Sequence, residues 1–292
     1  MNFSDLLLFY ARNGFFKPLK KSAYRKFRRR NIGEEFVVKT QAGFKMKTII
    51  GDIVDNTIYV YREWEQGTSE IIKKLSKICK TFVDVGCNIG YYSCLYSRFN
   101  PEGKVYAIDP NPEMIRRTRE NLELNLCKKY KVFNFGVSNT SEMLELTIAK
   151  SKHSGASFAY NPSRHSPDMV SRIKVQVKTL GDTLSGEDLE SAFLKVDTEG
   201  YEYNIFSGLD PDDGLIFDYI IFEYSPKALE KAGVVPASLF NLKLFALYLL
   251  YVIKEDGSLT ELNGEGFCVS EDLTVNCLLV KKDKTACLGF LP

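Results

Sequence analysis

The chain is poor in the residues that build metal and disulfide chemistry. Its 292 residues include two histidines, His153 and His165, and one tryptophan, Trp64. Seven cysteines occur, an odd number, scattered with no Cys-x-x-Cys pair. A zinc centre needs clustered sulfur and imidazole ligands, so no metal is assigned. The cysteines read as reduced, mostly buried small hydrophobes, which fits a cytoplasmic protein. Long apolar runs are also missing. The longest lies within LFALYLLYVI (244–253), about half of the roughly 20 residues that span a bilayer. The opening MNFSDLLLFYARNGFF carries its charges after the apolar run and has no small-residue cleavage site, so it does not read as a secretory signal. There is no internal repeat and no low-complexity segment.

A strong net charge is absent too, but the balance is uneven. Lys and Arg number 39 against 37 Asp and Glu, a net of +2. Residues 1–30 hold nine basic residues and one acid, Asp5, a net of +8. The remainder therefore carries −6. An ordinary apolar content, 45%, excludes disorder over most of the length and allows a real core.

Residues 1–80 read as a basic helical segment followed by a β/helix cap. EFVVKT and FKMKTII alternate around Gln41-Ala42-Gly43, the pattern of a hairpin. Thr57–Tyr61 is expected as another strand. SEIIKKLSKI puts Ile71, Ile72, Leu75 and Ile78 on one helical face, with Ser69 as its expected cap. From residue 81 to 292 strands alternate with helices: TFVDV, KVYAI, KVFNF, AFLKVD and YIIFE are buried-type strands. Asn111-Pro112 opens a helix as N-cap and N1. RIKVQVKTL alternates as a strand with one exposed face, and residues 150–171 are a polar, turn-rich loop. A helix is expected around residues 236–247, before a final pair of strands. This order predicts a doubly wound, mostly parallel α/β sheet with an antiparallel edge hairpin. Ligands bind such sheets at the carboxyl ends of the strands.

Three motifs stand at those ends. The first is Asp84-Val-Gly86-Cys-Asn88-Ile-Gly90. Neither a dinucleotide fingerprint nor a phosphate loop fits it, since asparagine stands where the fingerprint needs its second glycine. A carboxylate beside the turn would repel a pyrophosphate and suit a ligand bearing an ammonium group. The second is Asp109, 19 residues after Gly90, placed to accept from both hydroxyls of a ribose. The third is Lys195-Val-Asp197-Thr-Glu199-Gly200-Tyr201-Glu202. Crowded carboxylates there can raise one pKa and make a general base. The plain alternative is a solvated strand-to-helix turn whose acids favour a helix N-terminus.

FVDVGCNIGYYS, KVYAIDPNPEMIRRTRENLELN, FLKVDTEGYEYNIFSGL and YIIFEYSP together resemble the FkbM-type S-adenosylmethionine-dependent methyltransferases. The upstream GDIVDNTIYVYREWEQGTSEII, with its Trp64-Glu65 pair, and the downstream YVIKEDGSLTEL are similar as well. The resemblance implies a class I methyltransferase fold with a seven-stranded sheet. It implies methyl transfer from S-adenosylmethionine, usually to a hydroxyl on a glycan, a lipid-linked intermediate or a small natural product. By the same resemblance Asp84, Gly86, Asn88 and Gly90 would cradle the methionine end, and Asp109 would bind the ribose. Gly136, Val137 and Ser138 would border the adenine, although Ser138-Asn139 offers no acid for its amino group. Asp197 and Glu199 would face the methyl group and the acceptor.

Glu199 or Asp197 is the preferred general base, with His153 as rival, and Glu65 would close over the cofactor's ammonium. Lys195 reads as a strand-end lysine. The basic segment 12–30, with interleaved aromatics, suits an anionic membrane face. Two other functions suit parts of the chain: an RNA methyltransferase, or a non-catalytic membrane or nucleic-acid binding module. The acidic body speaks against nucleic acid, which needs a basic track.

Overall fold

The computed structural model describes residues 17–149, 157–158, 170–262 and 273–285. Helix α1 (Lys17–Asn31) leads into a hairpin of β1 (Glu35–Lys39) and β2 (Lys45–Ile49). Helices α2 (Ile53–Tyr61) and α3 (Gln66–Leu75) follow. Thr57–Tyr61, expected as a strand, is thus the C-terminal part of α2. Asp52 starts that helix by accepting from the backbone N–H groups of Val54 and Asp55, and Asp55, Ile58 and other residues bury one face. Tertiary packing of that face overrides the β preference of its branched residues. Ser69 is not a cap either. It lies in the first turn of α3, and its hydroxyl donates to the Trp64 carbonyl at 2.7 Å.

One eight-stranded sheet forms the centre. Its strands are β3 (Thr81–Val85), β4 (Lys104–Ile108), β5 (Tyr130–Phe133), β10 (Ala192–Val196), β11 (Tyr219–Tyr224), β12 (Tyr248–Ile253), β13 (Leu259–Glu261) and β14 (Val275–Lys281). They lie in the order β13-β12-β14-β11-β10-β3-β4-β5. The run from β11 to β5 is parallel, while β14 is antiparallel to both β11 and β12. Seven of these strands make the class I methyltransferase order, and the short β13 extends one edge. Helices α4 (Tyr91–Phe99), α5 (Pro112–Leu124), α6 (Leu180–Leu184), α7 (Glu202–Ser207) and α8 (Pro226–Lys231) connect the strands. A second sheet, ordered β6-β9-β7-β8, comprises β6 (Gly136–Val137), β7 (Glu142–Ala149), β8 (Ser157–Phe158) and β9 (Val170–Lys178). The loop expected at 150–171 lies mostly outside the described residues, apart from β8 and the start of β9. The helix expected around 236–247 is two 3₁₀ segments, Pro236–Asn241 and Lys243–Leu247, broken by Leu242 in an extended conformation.

Strand alternation divides the core between the two faces of the sheet. Val83, Leu194, Ile220 and Phe222 pack on one side with Phe206 and Leu229. Phe82, Phe193, Ile221 and Leu278 pack on the other, against Ile71, Ile72 and Leu75 of α3, Leu95 of α4 and Met46 of β2. The hairpin and the helices before β3 therefore share a core with the sheet. They are also tied to it by a buried ion pair. Arg117 of α5 donates to both carboxylate oxygens of Asp55, with the two side chains 5% and 0% exposed. No helix among the described residues is long and apolar enough to cross a membrane.

Breaking such a pair from one side leaves an uncompensated buried charge. We expect Asp55→Ala to destabilise the fold by about 3–5 kcal/mol, read from the urea midpoint. An apolar Asp55→Leu, Arg117→Met double variant should recover most of that loss. A midpoint unchanged in Asp55→Ala would show that the pair does not hold the lead-in in place.

Candidate active site

The chain order reverses between β3 and β10. From β3 the strands step outward to β4 and β5, and the chain then returns to β10 on the other side of β3. A cleft of about 250 Å³ opens over the carboxyl ends of these strands. Its floor comes from the turn after β3, from Asp109 and Pro110 after β4, and from Lys195 to Glu199 on and after β10. Its walls come from Trp64, Glu65 and the start of α2 on one side. On the other stand Phe135, Gly136 and Val137, with Leu144, Leu146, Val175 and Val177 of the second sheet.

The glycine turn is shaped by contacts that leave no room for a side chain. Gly86, at φ 76°, lies so close to the end of β10 that a Cβ would sit 1.9 Å from the Asp197 carbonyl oxygen. A Cβ on Gly90, also at φ 76°, would meet Thr118 of α5 at 2.8 Å. Asn88 takes a left-handed conformation as well, with φ 51°. Helix α5 pins the turn: the Thr118 hydroxyl donates to the Asn88 carbonyl at 2.6 Å, and the Asn121 amide donates to the Ile89 carbonyl at 2.9 Å.

Two side-chain oxygens buried here, Asp84 Oδ1 and Asn88 Oδ1, have no hydrogen-bond partner among the described residues. The other Asp84 oxygen accepts from the Ser93 hydroxyl at 2.6 Å. Burial raises the pKa of Asp84, opposed by Lys195 and by that hydroxyl. Asp109 is held by two backbone N–H groups, those of Asn88 at 3.1 Å and Asn111 at 2.8 Å. Burial still pushes its carboxyl up to about 7. Each of its oxygens keeps a further lone pair for a ligand.

Strand alternation brings the remaining charges together. Asp84 and Lys195 face each other in the parallel register of β3 and β10. Lys195 is 1% exposed and donates to Asp197 at 2.8 Å. Its ammonium lies 4.8 Å from the ring centroid of Tyr92. Burial alone would lower its pKa, but Asp197, Asp84 and Glu65 overcome that and raise it. The charged form of Lys195 is therefore favoured. Glu65 sits at the start of α3 with φ 38°. It accepts from the Tyr92 hydroxyl at 2.6 Å and the Asn276 amide at 3.0 Å. Burial raises its pKa, and Asp197 adds to the effect.

Glu199, at φ 56°, stands at the cleft mouth and meets solvent. Surrounding protein pushes it up to about 7, and Asp197, Glu202 and Glu65 add to that. Contact with water moderates the push. Glu202 is buried, accepts from the Thr198 N–H and hydroxyl at 2.8 and 2.9 Å, and is raised to about 7, mainly by burial.

The structure thus brings Gly86, Asn88, Asp109, Asp197, Glu199 and Glu65 to the lining of one cleft, with Val137 on its wall, whereas Asp84 is fully buried and, like Gly90, does not line it. Ser138 lies behind that wall, buried, with its hydroxyl 3.2 Å from that of Tyr201. His153 lies outside the described residues. Sequence reasoning did not single out Glu223. It lines the cleft from β11, on the face that carries Tyr219 and Ile221, and pairs in register with Asn276 of β14. Its signal was the polar residue ending an otherwise apolar YIIF strand. Among the described residues no cluster of histidines, cysteines and carboxylates has the arrangement of a metal site.

The chain is similar to several known proteins. Residues 84–247 match the model of the methyltransferase FkbM domain. "Methyltransferase 1" of Beauveria bassiana is 26% identical over 157 residues, covering 48% of this chain and 63% of that protein. Hexuronic acid methyltransferase AglP of Haloferax volcanii is 28% identical over 133 residues, covering 43% of this chain and 48% of that one. The chain thus matches about half to two thirds of the length of these relatives. A SAM-dependent O-methyltransferase of Thermotoga maritima covers 86% of this chain and 78% of its own, at 12% identity and a TM-score of 0.42. With the family model spanning more than half of its length, across the glycine turn, Asp109 and the carboxylates after β10, the chain belongs to the FkbM methyltransferase family.

Proposed function

We propose that the protein transfers a methyl group from S-adenosylmethionine to a hydroxyl oxygen of a sugar, a lipid-linked glycan or a small natural product. The observation that carries this is the pair of unpartnered buried oxygens, Asp84 Oδ1 and Asn88 Oδ1, at a glycine turn surrounded by carboxylates. Such a site suits a cationic ligand and repels phosphate, which speaks against a nucleic-acid acceptor. Bound there, S-adenosylmethionine supplies an activated methyl group on a sulfonium leaving group.

The chain's residues then divide the work. Asp84, Gly86, Asn88 and Gly90 hold the methionine end, and Glu65 faces its ammonium. Asp109 accepts from the ribose hydroxyls. Val137, Phe135 and Leu146 offer an apolar wall for the adenine. Positioning supplies most of the rate for such an in-line displacement. Glu199 takes the acceptor's proton as the new bond forms. Asp197 is occupied by Lys195 and serves mainly to hold that strand end. The sugar-type acceptor is supported by the name of the Haloferax relative.

Asp109→Ala should weaken binding of S-adenosylmethionine by about 100-fold or more, the loss of two charge-assisted hydrogen bonds, measured by calorimetry. Unchanged affinity removes the ribose assignment. Because a carboxyl raised to about 7 accepts best once ionised, affinity should also rise from pH 6 to 8. Glu199→Gln should leave binding nearly intact and lower turnover by about 10²–10⁴-fold, followed with labelled cofactor. A fully active variant excludes Glu199 as base.

The basic helix α1 is proposed as a contact for an anionic membrane face. Arg25, Lys26, Arg29 and Arg30 are exposed on it, while Phe27 is buried and stacks on Tyr59 at 5.2 Å. Each basic residue near such a surface contributes about 1 kcal/mol. Changing these four to Glu should abolish co-sedimentation with phosphatidylserine vesicles. Undiminished co-sedimentation counts against the contact.

A further inference from the structure

Glu223 is a carboxylate of the cleft that has no work in the scheme above. Like Glu199, and unlike Glu65, Glu202 and Asp197, its side chain makes no hydrogen bond or ion pair among the described residues. Glu65 is held by Tyr92 and Asn276, Glu202 by Thr198, and Asp197 by Lys195. Glu223 is nevertheless half-buried at the end of a central strand, where an unpaired polar group is costly.

Its surroundings carry too much charge of one sign. Glu65 faces it from the start of α3, Asp197 from the end of β10, and Glu199 and Glu202 from the turn beyond. Asp84 of β3 and the Tyr92 hydroxyl lie in the same group of side chains. Asn276, its partner in register on β14, is neutral and gives its amide to Glu65. Lys195 is the cation common to this cluster, and its ammonium is committed to Asp197.

We propose that Glu223 is a proton-holding residue of the reaction: neutral in the empty cleft, it gives up its proton when a cationic cofactor enters and recovers one when the cofactor's charge is lost. The inference rests on the cofactor reading above. Burial and the four carboxylates facing it all drive its pKa upward, so the neutral form is the stable one in the free protein. Entry of an ammonium and a sulfonium changes the sign of the local field and favours the carboxylate.

The balance closes over one turnover. The acceptor's oxygen forms a bond to the methyl carbon, and the carbon–sulfur pair stays on sulfur, which becomes neutral. The acceptor's proton passes to Glu199. The cleft has then lost one positive charge on sulfur and gained one proton on a carboxylate. Glu223, no longer facing a sulfonium, is the favoured final holder of that proton, and Glu199 is freed to act again.

Calorimetry of S-adenosylmethionine binding in two buffers of different ionisation enthalpy, at pH 8, tests this. Groups raised only to about 7, such as Asp109, Glu199 and Glu202, are already mostly ionised there. The wild-type protein should release a substantial fraction of one proton per ligand, up to about one by linkage. Glu223→Gln, which mimics the neutral form, should bind with release close to zero, and Glu199→Gln should release as the wild type does. An infrared difference spectrum on binding should show loss of a protonated carboxyl carbonyl band in the wild type and not in Glu223→Gln. Equal proton release and equal bands in the wild type and Glu223→Gln, with binding retained, overturn the proposal. If S-adenosylmethionine gives no heat and no spectral change with any of the three proteins, the cofactor reading itself is overturned. Were Glu223→Gln to misfold, the wild-type carbonyl band still decides: no band lost on binding overturns the proposal.

Discussion

One buried ammonium organises the site. Lys195, near the carboxyl end of β10, is almost fully buried, where an isolated charge is costly. It is tolerated because Asp84 lies beside it in register, Asp197 accepts its proton donor, and the Tyr92 ring covers it. Those partners are themselves carboxylates and a hydroxyl that the sheet places at the switch point. The same cation therefore permits a dense group of acids to exist in a small volume. Without Lys195 the acids would have to protonate or separate.

Around that centre, the segment before β3 acts as part of the site. Glu65 joins three elements: its own helix, Tyr92 of α4 and Asn276 of β14. Arg117 ties α2 to the helix that follows Asp109. The lead-in thus joins the helix after the glycine turn to β14 inside the sheet. The second sheet supplies the opposite, apolar wall through Leu144, Leu146, Val175 and Val177. An acid-rich side facing an apolar side gives a ligand with a charged end and a flat, weakly polar end one orientation.

Most of the central sheet was legible in the sequence, because fully buried parallel strands read as short apolar runs broken by turns. The glycine turn, Asp109 and the Asp197–Glu199 pair were legible for the same reason: they end such runs. Thr57–Tyr61 was misread because branched residues on a buried helix face look like a strand over five positions. The break at Leu242 is a matter of one residue's backbone, which carries no periodic signal. Glu223 was visible as a lone acid ending an apolar strand. Its significance lay in what faces it from α3 and β10, and such long-range neighbours are not written in local pattern. The unpartnered Asp84 oxygen belongs to the same class, since a list of residues does not show which acceptors go unsatisfied.

Gly86 brings the turn after β3 against the end of β10. Its missing side chain lets the cofactor turn rest against the backbone carbonyl of Asp197, so the two halves of the cleft are in direct contact at that point. In the proposed reaction these are the donor side and the acceptor side, and no adjustable side chain separates them at that point. Reacting groups must stand about 3–3.5 Å apart for in-line transfer. In that proposal the backbone contact between the glycine turn and the end of β10 makes the separation a property of the strand register. Acceptor specificity can therefore diverge in the surrounding loops and the second sheet while the reach of the transfer stays constant.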